Sequence, residues 1–246
     1  MRRLHWSWWL ALSLLTLLFI FVRLPASVFG SIIAAKTGDK FVLAGTSGSI
    51  WQGTGQPVVE GQALAEQLTW QWRPKDLLKA SLGYDLKLDA GQAQLNIGLG
   101  GISLRNADLT VAASPLFKLA ERTRAYGLTG QLRLATAEMH WPTPQAESQL
   151  SIDWRGAGSS LAPSVPVLGD YRIGLTPSGK AWQLQLSTLN GQLVLNGSGK
   201  WQASEGLAAD ITLQAAPGSG PALVPFLNQV GAGSPEAERR LRFNFR

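Results

Sequence analysis

From residue 41 onward apolar side chains recur at every second position in stretch after stretch, and that period constrains the fold more than any other feature. Alternation by two lines one face of a β-strand, whereas a helix needs apolar spacings of three and four. Leu68, Trp70 and Trp72 alternate with Thr69, Gln71 and Arg73; Leu82, Tyr84, Leu86 and Leu88 make a second face, and Ala93, Leu95, Ile97 and Leu99 a third. Gly, Asp or Asn bounds each of them. The pattern returns at Tyr171, Ile173 and Leu175, at Trp182, Leu184 and Leu186, at Leu193 and Leu195, and in a closing strand over 241–245. Breaks this short join neighbours in antiparallel fashion, so the expected fold is mainly β, a curled antiparallel meander. Its first hairpin is expected to pair 41–45 with 49–53 around a turn at Thr46, Ser47 and Gly48.

Only a few stretches leave this period. Pro74 starts a short turn of helix through Leu78, since proline is tolerated at a first helical position. Ser114 can cap and Pro115 can start a second helix, carried by Leu116, Phe117, Leu119 and Ala120 through about Tyr126 and ended by Gly127. In the strand that follows, Leu128, Leu132 and Leu134 are in phase, and the phase shifts before Met139 and Trp141, which predicts a bulge. Pro142 and Pro144 mark the clearest break. Beyond it the first half recurs in order: LTWQWR at 68–73 is echoed by LSIDWR at 150–155, and ADLTVAA at 107–113 by ADITLQA at 209–215, each of the latter followed by a proline-started helix. The expected organisation is therefore an N-terminal tail and anchor over 1–23, a transition segment over 24–40 with a helical extension near 27–35, a first β repeat over 41–141 and an imperfect second over 142–246.

Ahead of all this stands LHWSWWLALSLLTLLFIFV, residues 4–22, without a formal charge and fenced by Arg2, Arg3 and Arg23. At about 1.5 Å per residue, a helix of that length matches the apolar thickness of a bilayer. A cleavable signal peptide would have a shorter core and a small-residue cleavage site, whereas this run leads into Arg23, Leu24 and Pro25. The expectation is an uncleaved signal anchor, a transmembrane helix with Trp6, Trp8 and Trp9 in the headgroup layer and Arg2 and Arg3 on the cytoplasmic side. The rest of the chain then lies on the far side of a membrane crossed once. A mature N-terminus after Gly30 would overturn that reading.

Location also settles the meaning of the charge. The chain carries 22 basic and 16 acidic residues, and setting aside Arg2, Arg3 and Arg23 leaves 19 basic, a balance of +3 for the remainder. No basic block interleaved with aromatics occurs there, so nucleic acid is not an expected partner. There is no cysteine, which removes disulfides, thiolate metal sites and thiol catalysis.

No catalytic constellation emerges. His140 is the lone histidine beyond the anchor and reads as a polar residue at a strand end; Asp85 and Asp89 share a strand face that is ordinarily solvated. The glycines at 98, 100 and 101 and at 197 and 199 lack the lysine and the strand-to-helix setting of a phosphate loop. No enzyme activity, cofactor or metal is expected. The tryptophans remain. Trp51, Trp70, Trp72, Trp141, Trp154, Trp182 and Trp201 all fall in strands or at their ends, where indoles pack cores. A sharper reading makes Trp51, Trp70, Trp72, Trp154, Trp182 and Trp201 a candidate binding surface, because a single sheet with two short helices cannot cover both of its faces.

The anchor followed by GSIWQG at 48–53, LTWQWRP at 68–74 leading into Leu77 and Leu78, the Ser114–Pro115 helix start with GLTG at 127–130, and LGDY at 168–171 through GQLVLNG at 191–197 to Trp201 together resemble the type II secretion system protein N family. The likeness runs nearly end to end, and it rests on the order and spacing of motifs that are individually weak. It implies a single-pass inner-membrane protein whose periplasmic β domain is an accessory or scaffold for export, with other secretion subunits as partners and no catalytic residues. A looser likeness links the chain to anchored β-repeat proteins of the AsmA type, associated with lipid handling. The expected function is thus a scaffold of type II secretion, with a periplasmic lipid-binding conduit as the alternative.

Overall fold

The computed structural model describes residues 4–119, 121–230 and 237–245. It is mainly β, a 14-stranded antiparallel sheet in which strands pair in chain order, apart from a two-residue strand off the main path. The first half contains β1 (Phe41–Gly48), β2 (Gln52–Val59), the short β3 (Gln62–Ala63) paired to β2, β4 (Leu68–Arg73), β5 (Ser81–Leu88), β6 (Gly91–Gly98) and β7 (Gly101–Ala112). The second contains β8 (Leu128–Trp141), β9 (Leu150–Ser159), β10 (Gly169–Ser178), β11 (Ala181–Gly191), β12 (Leu193–Gln202), β13 (Gly206–Ala215) and β14 (Arg239–Phe245). β8 pairs with β9 across the proline-marked loop, so the ladder is continuous from β1 to β14.

Register turns the sequence alternation into one apolar face. Trp70 pairs with Leu86 and Leu86 with Ala93; on the far side Trp154 pairs with Tyr171, and Leu193 and Leu195 pair with Ala215 and Leu213. A single layer cannot bury that face alone, and helices cover it in three places. Helix α2 (Ala26–Thr37) packs Ala26 and Phe29 over Leu43, Trp70 and Tyr84. Helix α3 (Ala113–Leu119), followed by the single turn α4 (Glu121–Arg124), sets Phe117 against Trp154 and Tyr171. Helix α5 (Gly220–Val230) buries Leu223, Phe226 and Leu227 against Leu168, Leu193 and Leu213. The expected helical extension near 27–35 is thus α2, and it closes the first half as α3 and α5 close the second. Proline-started 74–79 is a 3-10 turn.

Local readings shift in four places. Thr46, Ser47 and Gly48 are strand, with Ser47 opposite Thr54 and Gly48 opposite Gly53, and the turn comes at 49–51. A register shift between Ala44 and Ser47, with Gly45 at φ +57°, absorbs the turn-like composition as a bulge. The true turn is held by the Ser49 hydroxyl, which accepts the N–H groups of Trp51 and Gln52, each at 3.2 Å. Leu99 lies at the fully exposed tip of the β6–β7 hairpin, not on a strand face. Where the phase changes before Met139, β7 and β8 keep a common register on both sides, and the special backbone belongs to Asn106 of β7, φ +46°, which shifts that strand against β6. The helix expected from Pro115 begins at Ala113, directly off β7, so Ser114 sits inside its first turn.

Helix α1 (Leu4–Val22) precedes the sheet. Among the described residues no helix is both long and apolar enough to cross a membrane, so the transmembrane anchor is not part of what the fold establishes. Every side chain from Trp8 to Val22 is exposed, and the helix meets the sheet at its end, where Phe21 touches Trp51. Arg2 and Arg3 lie outside the described residues, and of Trp6 only its place in the helix is described.

The opposite face of the sheet is a ladder of alternating charge. Asp108 on β7 takes two hydrogen bonds from Arg133 on β8, at 2.7 and 2.6 Å; Asp153 on β9 takes two from Arg172 on β10, at 2.6 and 2.9 Å, and pairs with Arg155 at 3.6 Å. Glu138 is bonded by Arg105 at 2.7 Å and by His140 at 2.9 Å. The arginine hydrogen bonds hold the carboxyls of Asp108, Glu138 and Asp153 below their ordinary range. Between the folded and unfolded values the unfolded chain binds more protons, so the ladder stabilises the fold at neutral pH and that contribution is lost as pH falls through the lowered values. Thermal melts are expected to show stability falling steeply below about pH 4, with Asp153→Asn less stable at pH 7 and flatter in its acid response.

Candidate functional site

The second half of the apolar face is not filled. Between α3, α5 and strands β8 to β14 lies a cavity of about 230 Å³, bounded by Phe117, Trp154, Tyr171, Leu195, Phe226 and Phe243 among others. Its exposed lining is apolar because the polar atoms nearby are spent on backbone. The Tyr171 hydroxyl donates to Leu193 O at 2.9 Å, and burial pushes its pKa well above that of a free phenol. The Trp154 indole N–H donates to Thr129 O at 2.9 Å, and the Thr123 hydroxyl donates to Phe117 O. Pockets that enclose drug-sized ligands run from roughly 300 to 1,000 Å³. This one is smaller and open.

The tryptophans singled out by the sequence separate into four places. Trp70 and Trp182 are core, 1% and 0% exposed. Trp70 donates its indole N–H to Ser49 O at 3.1 Å and packs 5.8 Å from Phe29, whereas the buried Trp182 Nε1 has no hydrogen-bond partner. Trp154 alone of the six lines the cavity. Trp51 and Trp72 lie 4.5 Å apart where α1 meets the sheet, and Trp201 stacks on Trp141 at 3.8 Å. That last contact joins β8 to β12, four strands away, and shows how tightly the sheet curls. The cavity's remaining wall, Tyr171, Leu195, Ile211, Phe243 and the α5 residue Phe226, was present in the sequence as ordinary alternation and nothing marked it as a lining.

Other candidates resolve into structural roles. His140 is held by Glu138 beside a polar pocket shared with Asp76, Lys79, Asn96 and Arg105. Arg73 stands 2.9 Å from Asp76 through Nε, an ion pair without hydrogen-bond alignment, and donates to Asn96 Oδ1 at 2.7 Å. Asp85 pairs with Arg73 at 3.4 Å, while Asp89 accepts the backbone N–H groups of Glu66 and Gln67. The two carboxylates are therefore engaged with different partners. Among the described residues no three His, Cys, Asp or Glu side chains are grouped to hold a metal ion.

This curled sheet, with α3 and α5 on its apolar face, occupies the region that a sequence model of the type II secretion system protein N family matches, residues 40–244. The chain belongs to that family. It is accordingly a component of the type II secretion system, located in the bacterial envelope, and its partners include other components of that system. The match takes in the strands, to within the last residue of β14, and leaves α1 and α2 outside it. No curated protein and no solved structure shows significant similarity to the chain.

Proposed function

We propose that this member of the protein N family is a non-enzymatic scaffold, held in the inner membrane by α1, whose periplasmic sheet binds other secretion subunits. The observation that carries this reading is the junction between α1 and the sheet. Ile50 N–H donates to Leu24 O at 3.0 Å, the Trp51 indole donates to Phe21 O at 3.1 Å, and the Phe21 ring meets Trp51 edge-on at 4.8 Å. An exposed apolar helix fastened in this way orients a sheet rather than merely tethering it, and confinement to a membrane lets weak contacts suffice. Among the described residues β14 pairs with β13 alone, and its other edge offers backbone groups for a partner strand. The repeats read over 41–141 and 142–246 belong to the same proposal: β7 leads into α3 as β13 leads into α5, so each half supplies sheet and cover.

The test is site-specific photo-crosslinking in membranes from residues on β14, Arg240 and Asn244, beside a control on exposed Lys87. Capture of other secretion subunits from β14 and not from Lys87 is expected, together with loss of export on deletion. Intact export after deletion would sink the scaffold. The open apolar cavity favours a second reading, a lipid-binding conduit. Native mass spectrometry that finds phospholipid on the purified protein, lost in Leu195→Arg, would support the conduit.

A further inference from the structure

Antiparallel register gathers six exposed apolar side chains at one end of the first half of the sheet. β4 ends at Arg73 where β5 begins at Ser81, and β6 ends at Gly98 where β7 begins at Gly101, so the 74–79 turn and the β6–β7 hairpin leave the sheet on the same side. Leu77, Leu78 and Leu82 are 51%, 92% and 40% exposed there, and Ile97, Leu99 and Ile102 are 39%, 101% and 43% exposed. Most are on turns or next to them. They protrude without offering the free backbone edge that a partner strand would use.

The end of α1 comes out at the same place. Gln52 pairs with Gln71, near the end of β4, so the 49–51 turn that binds Phe21 and Leu24 belongs to this rim. The exposed charge on the 74–79 turn and beside the end of α1 is basic. Arg23, Lys75 and Lys79 are exposed, while the intervening Asp76 is drawn onto Arg73 at 2.9 Å. Protruding leucines ringed by cations, beside an apolar helix leaving the sheet at the same end, match the chemistry of an anionic phospholipid surface: acyl boundary for the leucines, phosphate headgroups for the cations.

We infer that this end of the sheet rests on the bilayer, with Leu77, Leu78 and Leu99 inserted at its surface and Lys75 and Lys79 against phosphate. The inference rests on the reading of α1 as the membrane anchor and adds what an anchor alone does not require: a second contact that stands the strands on the membrane. It leaves the cavity between α3 and α5 toward the far end, away from the lipid.

The chain has no cysteine, so a single substitution carries a single label. The full chain is reconstituted in phosphatidylethanolamine–phosphatidylglycerol vesicles with an environment-sensitive fluorophore at Leu78→Cys, Leu99→Cys, Leu14→Cys in α1, or Ala90→Cys in the β5–β6 turn at the opposite end. Lipid-borne nitroxide is expected to quench the labels at 78, 99 and 14 and to spare the label at 90. The double substitution Lys75→Glu, Lys79→Glu is expected to reduce quenching at 78 and 99 and leave it unchanged at 14. Quenching at 14 with none at 78 and 99 overturns the surface contact and leaves the anchor standing. Quenching at 78 and 99 with none at 14 upholds the contact and removes the anchor. No quenching at any of these sites overturns both.

Discussion

Replacing Trp70 with alanine is expected to destabilise the sheet by about 3–5 kcal/mol, the larger of the two effects on folding considered for the tryptophans at this end. The indole is 1% exposed, and its ring lies so close to the β2 backbone that a Cβ on Gly53 would sit 2.5 Å from it. It fills the space between the sheet and α2, beside Phe29 and Tyr84. Truncation therefore opens a cavity between two rigid elements, and it also leaves Ser49 O without its donor in the turn that binds α1. A loss of this size lowers the melting temperature by roughly 10 °C in a domain of this length. Trp72→Ala is expected to cost less, because Trp72 is only half buried. Equal melting temperatures for Trp70→Ala and the wild type would place Trp70 outside the core.

Removing residues 1–23 is expected to release the protein from the membrane almost completely while leaving the sheet folded. The helix contributes its exposed length from Trp8 to Val22 to no internal core, so apolar area on that scale counts toward association with lipid. What the sheet loses is confined to the junction: the Trp51 N–H loses its acceptor at Phe21, worth about 1 kcal/mol, and Trp51 loses one ring neighbour. Fractionation with alkaline washing checks the first part and a thermal melt of the truncated chain the second. Continued retention in washed membranes would remove α1 as the anchor. A collapse of the melt would mean that α1 is structural.

Much of the molecule was legible along the chain because a strand's alternation is a local property. Trp70 and Trp72, Tyr84 and Leu86, Leu193 and Leu195 announce their strands without reference to anything distant. The same local reading failed where the partner strand set the answer. The Thr46–Gly48 stretch has turn composition, yet its pairing with Gly53 and Thr54 keeps it in the ladder and moves the turn to Ser49. Leu99 continues an apolar alternation but falls beyond the last paired residue of β6, Gly98 opposite Gly101. Residue type alone did not say where the six tryptophans would sit: they divide among the core, the α1 junction, the stack on Trp141 and the cavity, which Trp154 lines.

By itself the sequence determined that the chain would be an antiparallel meander led by an apolar helix, without thiol chemistry, and with the order of motifs shared by the protein N family. Each of these follows from composition or from spacings of a few residues. Tertiary structure alone decided that the sheet curls until Trp141 on β8 stacks against Trp201 on β12, that three helices close the apolar face unevenly, and that the exposed leucines of two separate turns share a rim with the exit of α1. Those outcomes depend on twist and register accumulated over many strands, and no local pattern records such a sum.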